Sequence, residues 1–213
     1  METIIDLSRE IDNNMFVFPG DTQTRLIQTG FLKNHDFNNY LLETSMHAGT
    51  HVDGPMHLTE SDRYISDLCL DSFIAPGCVL DVRRENPIRL KSEFLGKIPA
   101  GGIVLLYTGH DALYGTQEYY SCYPEVDQDF CLFLIRQGVK MLGMDSPSPD
   151  RFPYPVHRSL LNRGICLIEN LTNLDRLLVI KSFDIIALPL KIKADSSPAR
   201  VIAVLHQVMP ETI

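Results

Sequence analysis

Between residues 47 and 57 the chain reads His-Ala-Gly-Thr-His-Val-Asp-Gly-Pro-Met-His, and no other segment restricts its possible folds so tightly. Seven histidines in 213 residues would place roughly 0.4 in a window of eleven. This window holds His47, His51 and His57, with Asp53 among them. Gly49, the β-branched Thr50 and Val52, and the Gly54-Pro55 pair all oppose a helix, so the i, i+4 histidines are not the paired ligands of a zincin helix. A turn leading out of a strand over residues 40–46 fits the residue types better. In extended backbone His51 and Asp53 project to one face, and Gly49 lets the chain fold back so that His47 joins them. Imidazole nitrogens with a carboxylate suit a borderline divalent cation such as zinc or manganese. His57 lies beyond the Gly-Pro turn, and a histidine there could shuttle protons beside the metal rather than bind it. The residues alone leave that role open.

The rest of the chain supplies a scaffold of α/β type. Residues 25–29, 78–82 and 102–107 are β-rich runs ending in turn-forming residues and are expected to be strands. Asp127 caps an expected helix that runs through Phe130, Leu134 and Ile135 to a stop at Gly138, and a strand over residues 139–144 follows. A second helix over residues 156–162 precedes a strand at 165–168, and further strands are expected at 183–188 and 201–208. Strands clustered early and helix–strand alternation later imply one domain over residues 1–213, a mixed sheet with helices packed against it.

Composition removes several function classes. The formal net charge of −8 repels phosphate backbones and anionic membrane surfaces, so neither nucleic acid nor membrane is an expected partner. Met1 to Asp6 has no basic segment leading into an apolar one, and no apolar run reaches the length of a membrane span, so the expected location is the cytoplasm. Cys69, Cys78, Cys122, Cys131 and Cys166 are odd in number and scattered, and are expected to be small buried hydrophobes in a reducing compartment. No Gly-x-Ser-x-Gly elbow supports a serine hydrolase, and no cysteine sits beside a candidate base.

The spacing His47-x-Gly-Thr-His51-x-Asp53-x-Pro-x-His57 resembles the signature of the cyclase family of metal-dependent hydrolases, which includes bacterial kynurenine formamidases and isatin hydrolases. The resemblance continues in residues 18–22 (Phe-Pro-Gly-Asp-Thr), 107–109 (Tyr-Thr-Gly), 143–150 (Gly-Met-Asp-Ser-Pro-Ser-Pro-Asp) and 168–171 (Ile-Glu-Asn-Leu). It implies a swivelling β/β/α fold, with His47, His51 and Asp53 as metal ligands. A later histidine and a glutamate twelve residues on complete a two-metal site in binuclear members, and His157 and Glu169 have that spacing. The resemblance further implies two divalent ions, zinc or alternatively manganese, His57 as the proton-transfer group, a small-molecule substrate, and assembly as a homodimer or homotetramer.

The activity implied is hydrolysis of an aryl formamide such as N-formylkynurenine by metal-activated water. A related amidase, lactonase or cyclase acting on another small molecule shares every feature named. A non-catalytic metal-binding or ligand-sensing protein would need the loss of His57 or of a ligand, and all are present. Phe18 stands where kynurenine formamidases typically carry a substrate-contacting tryptophan, and the chain contains no tryptophan. The aromatic platform is retained without the indole N–H. The run Asp145-Ser-Pro-Ser-Pro-Asp150 is carboxylate-rich, but a turn at a strand end explains it.

Overall fold

The computed structural model describes residues 3–206. In chain order the strands are β1 (Ile4–Asp6), β2 (Arg25–Gly30), β3 (Asn39–Glu43), β4 (His51–Asp53), β5 (Ile74–Asp81), β6 (Ile103–Tyr107), β7 (Met141–Met144), β8 (Cys166–Glu169), β9 (Phe183–Pro189) and β10 (Ser196–Leu205). The α-helices are α1 (Leu32–His35), α2 (Gln117–Ser121), α3 (Gln128–Gln137) and α4 (Pro155–Leu161).

Eight strands form one sheet in the order β1-β10-β4-β8-β7-β6-β5-β9, and β9 also pairs with β10, so the sheet closes on itself. The length of β10 makes the closure possible: residues 196–198 pair with β4, residues 199–205 pair with β9, and β1 adds to its other edge. Strands β5, β6, β7 and β8 are parallel neighbours, joined through α2 and α3 between β6 and β7 and through α4 between β7 and β8. The remaining two strands, β2 and β3, form a separate hairpin.

Side-chain alternation divides the interior in two. Along β6, Ile103 and Leu105 join Met141, Ile168, Ile185 and Val201 in one cluster. Val104 and Leu106 face the other way, with Phe130 and Leu134 of α3 and Val156 and Leu160 of α4. A strand buried on both faces reads as a continuous apolar run, which is how this segment looks in sequence. Helix α3 begins and ends as expected: the Asp127 carboxylate accepts from the Asp129 N–H at 2.9 Å, and Gly138 takes φ 65°. There the left-handed backbone favours glycine.

The mixed α/β architecture matches expectation, while several details differ. The strand expected over 40–46 stops at Glu43, and residues 44–50 turn instead, because this is where the chain must bend to present His47. The last strand begins at Ser196 rather than Val201, and its expected end at Val208 lies outside the described residues. Cys131 and Cys166 are buried as expected, but Cys69 and Cys122 are exposed and Cys78 is half-buried, so the uniform reading of the cysteines fails. Among the described residues no helix is long and apolar enough to cross a membrane.

Candidate active site

The short strand β4 carries His51 and Asp53 on one face and buries Val52 on the other in the interior cluster with Ile168. Its two neighbours supply the rest of the site through register. Glu169 of β8 lies directly opposite His51, and Ser196 of β10 lies opposite Asp53, which brings Asp195 beside the motif. Gly54 permits that approach: its N–H donates to the Asp195 carbonyl at 3.0 Å, and a Cβ there would lie 2.8 Å from the same oxygen. Gly49 at φ 65° makes the turn that returns His47 to the site.

Four buried side chains and the half-buried His47 converge deep in the fold. His51 Nε2 lies 3.4 Å from Asp53 Oδ1 and 3.5 Å from Glu169 Oε2. His157, on α4, places Nε2 3.2 Å from Glu169 Oε1 and 3.9 Å from Asp53 Oδ2. His47 Nδ1 comes within 2.9 Å of Asp53 Oδ1. Asp53 is only 1% exposed, yet neither of its carboxylate oxygens has a hydrogen-bond partner, and the same holds for His51 Nε2 and Glu169 Oε1. A buried carboxylate without donors is costly, so unmet lone pairs converging on one point are the signature of a cation-binding donor set.

The outer nitrogens of these histidines are tied down. His51 Nδ1 donates to the Gly49 carbonyl at 2.9 Å, which leaves the Nε2 lone pair aimed inward. Asn170 braces the same turn, donating from Nδ2 to the Gly49 carbonyl at 3.0 Å, and receives the Tyr119 hydroxyl on Oδ1 at 2.8 Å. His157 Nδ1 bonds to Asp150 Oδ1, while Asp150 Oδ2 accepts from the backbone N–H groups of Val156 and His157. One carboxylate therefore fixes both the start of α4 and the ring it carries. These contacts leave an imidazole or carboxylate atom free for two cation positions. His47, Asp53 and His57 could hold one cation, and His51, Asp53 and Glu169 could hold another, with Asp53 shared. His157 Nε2 adds a further donor beside the second group.

Asp195 is the residue that sequence reasoning missed. Its Oδ2 accepts from His57 Nδ1 and from His47 Nε2, each at 3.0 Å, and from Ser196 Oγ at 3.2 Å. The hydrogen bonds from His47 and His57 outweigh partial burial and hold its carboxyl far below the usual carboxylate range. Asp150, explained in sequence as part of a turn, proves to be the partner of His157. The only signal for either was a carboxylate within a motif-like segment, and nothing local linked it to a histidine.

All seven sequence-derived site residues meet at one cavity of about 240 Å³. Phe18, His47, His51, His57, His157 and Glu169 line it, and Asp53 lies against His47 beneath them. Phe18 is 39% exposed and packs edge-on against Tyr120 at 5.4 Å between ring centroids. Tyr120 in turn donates its hydroxyl to the Phe16 carbonyl at 3.0 Å, pinning the loop that carries Phe18. Leu58, Tyr123 and Tyr154 complete a largely aromatic wall.

Without a cation the histidines compensate the buried carboxylates by holding protons. Burial depresses the pKa of His47, but Asp53 and Asp195 more than reverse this and raise it to about 10. Burial likewise opposes charge on His157, and Asp150 with Glu169 raises it to about 10. Stability from such raised imidazoles is fully present below their ordinary value of 6.5 and is lost as pH rises through about 10. Chelator-treated protein is therefore expected to lose resistance to urea between those limits. A cation must displace these protons, so zinc added at pH 7 should release them, as calorimetry in buffers of different ionisation enthalpy would read. Flat stability across that window with no proton release would contradict the assignment. Asp195→Asn keeps the shape but weakens the hold on both rings, and should lower metal affinity or turnover about 10- to 100-fold. Wild-type values for both would remove Asp195 from the site.

Comparison with known proteins agrees with this geometry. The Cyclase family model matches residues 5–151. The kynurenine formamidase of Salinibacter ruber (strain DSM 13855 / M31) is 32% identical over 209 residues, covering 93% of this chain and 96% of that protein. The kynurenine formamidase of Geobacillus thermodenitrificans (strain NG80-2) is 31% identical over 210 residues, covering 94% and 96%. Among solved structures, an isatin hydrolase bound to the product analogue thioisatinate superposes with a TM-score of 0.84 at 22% identity, over 96% of this chain and 92% of that one. Isatin hydrolase A from Labrenzia aggregata, bound to benzyl benzoate, gives 0.83 at 24% identity, over 96% and 94%. With the motif residues assembled on β4 and β8 and the fold shared, the chain belongs to the Cyclase family.

Proposed function

We propose that this protein is a metal-dependent amidohydrolase that cleaves aryl formamides, with N-formylkynurenine as the leading substrate. The observation that carries the proposal is the set of buried, unpartnered donor atoms on His51, Asp53 and Glu169 at the floor of an aromatic-walled cavity. The named kynurenine formamidases support the same substrate class. In this reading His47, His51, Asp53, His157 and Glu169 hold two divalent ions, with zinc favoured by the imidazole–carboxylate mixture and manganese the alternative. When bound, such ions polarise a carbonyl and lower the pKa of water towards neutrality.

The chain's own residues provide the rest. Phe18 and Tyr120 give an aryl ring an apolar surface to pack against, which positions the formamide over the donor set. Asp195 anchors His57 through Nδ1, leaving Nε2 for the cavity. From that nitrogen His57 delivers a proton to the departing aniline nitrogen, so that the amine leaves neutral. His57 is held through Nδ1 by Asp195 and is not among His51, Asp53 and Glu169, so its substitution need not empty the metal site.

N-formylkynurenine, formanilide and aliphatic formamides assayed with zinc- or manganese-loaded protein test the proposal. Aryl formamides should turn over and lose all activity on chelation. His57→Ala should keep its metal and lose about 10²- to 10⁴-fold in kcat. Phe18→Ala should lose about 10- to 100-fold in kcat/KM on aryl formamides and little on aliphatic ones. Full activity in metal-free protein, or turnover confined to aliphatic amides or lactones, would overturn the assignment.

A further inference from the structure

One carboxylate in the wall of the active-site cavity takes no part in the donor set. Asp21 lines that cavity together with Phe18 and Tyr120. It is half-buried, and among the described residues only the Ser45 hydroxyl bonds to its side chain, donating to Oδ2 at 3.3 Å. Oδ1 has no protein donor, and no cationic side chain among the described residues pairs with it. A Pro-Gly turn sets this carboxylate next to the aromatic platform: the Asp21 N–H donates to the Phe18 carbonyl at 3.0 Å, and Gly20 takes φ 101°. Ser45 ties the turn to the site, because its Oγ also accepts from the His47 N–H at 3.3 Å.

The rest of the wall leaves that charge unanswered. Among the described residues no lysine or arginine lines the cavity. Its four histidines and Glu169 are committed to the donor set or, for His57, to Asp195. The bond from Ser45 does not account for the charge, since it asks only for an acceptor and asparagine would supply one equally. A carboxylate held against aromatic walls with an unused oxygen is matched by a cationic donor on the ligand, through a charge-assisted hydrogen bond. An anionic group in the same place would find no partner in the wall and would face a like charge.

We infer that Asp21 is a specificity-determining residue of this cavity, receiving a protonated amine carried on the side arm of the aryl substrate. The inference rests on the aryl-formamide reading above and narrows it to substrates whose ring bears a cationic arm. A ring seated on Phe18 has Asp21 as its neighbour along the same turn, so the arm meets the carboxylate while the formamide faces the donor set. Phe18 then selects for the ring and Asp21 for the charge, and the Ser45 bond keeps both registered to His47.

Calorimetric binding of kynuramine and ortho-aminopropiophenone to the zinc-loaded, full-length protein tests this. The two ligands share the aryl ketone and differ only in the terminal ammonium of the arm. The wild type should bind kynuramine about 5- to 30-fold more tightly at low salt, and the margin should shrink as ionic strength rises. Asp21→Asn keeps an acceptor for Ser45 and should bring the ratio of the two affinities close to one, whereas Asp21→Glu should retain part of the preference. The salt dependence of the wild-type ratio is a second reading if the variants fold poorly. With the N-formyl derivatives of the same compounds, the preference should appear in KM rather than in kcat. Absence of turnover of both derivatives would count against the aryl-formamide reading, while the binding ratio, which needs no turnover, still decides the role of Asp21. Equal affinity in the wild type, no binding of kynuramine, or a preference that survives Asp21→Asn, as amine ligation to zinc would give, would overturn the inference.

Discussion

Asp53 places a carboxylate in the interior with no well-formed hydrogen bond to either oxygen, although His47 Nδ1 lies 2.9 Å from Oδ1, and Glu169 Oε1 adds a further unmet acceptor. Isolated buried charge of this kind costs several kcal/mol per group unless something positive meets it. In the metal-free chain the protons on His47, His51 and His157 answer the charge, which is why burial fails to suppress the basicity of these rings. A divalent cation held by these residues would answer it better, since it would meet several lone pairs at once and leave the imidazoles neutral. The placement of the surrounding polar groups follows from this one requirement. Asp150, Asp195, Asn170 and the Gly49 carbonyl each occupy an outer nitrogen of a histidine or the turn that bears one.

The closed sheet is what makes such a site possible on so short a strand. β4 contributes three residues, and it is held on one side by β8 and on the other by β10. One neighbour therefore delivers Glu169 opposite His51, and the other delivers Asp195 next to Asp53. Because β10 also closes the ring against β9, the strand that starts directly after Asp195 is paired along its whole length. Side chains mounted on packed strands keep their geometry more closely than those on loops. His47, His57 and Phe18 stand outside the strands, and each has its own tether: the two histidines on Asp195, and the Phe18 loop on Tyr120.

Much of this was legible in sequence where the signal was local. The alternation through His51, Val52 and Asp53, the refusal of a helix by Gly49 and Gly54-Pro55, and the cap and stop of α3 are short-range consequences of residue type, and the structure keeps them. His157 and Glu169 came through family resemblance, since nothing about either residue alone separates it from ordinary surface. Asp195 escaped because its link to the motif is a strand pairing across some 140 positions, and Asp150 because an aspartate in a Ser-Pro turn already has a local explanation. The β2–β3 hairpin was read as β-structure, but periodicity does not reveal that β3 is exposed along its whole length. The exposed Cys69 and Cys122 likewise show that residue type alone does not determine burial.

In the proposed function Asp53 would be shared between two cation positions, one within reach of His47 and the other of His51 and Glu169, with His157 beside it. The most direct test is anomalous diffraction from crystals of zinc-loaded protein collected on both sides of the zinc absorption edge. Two edge-dependent peaks about 3.5–4 Å apart, flanking the Asp53 carboxylate, are the predicted result. Anomalous density absent from this cluster, or confined to sites that do not touch Asp53, would contradict it.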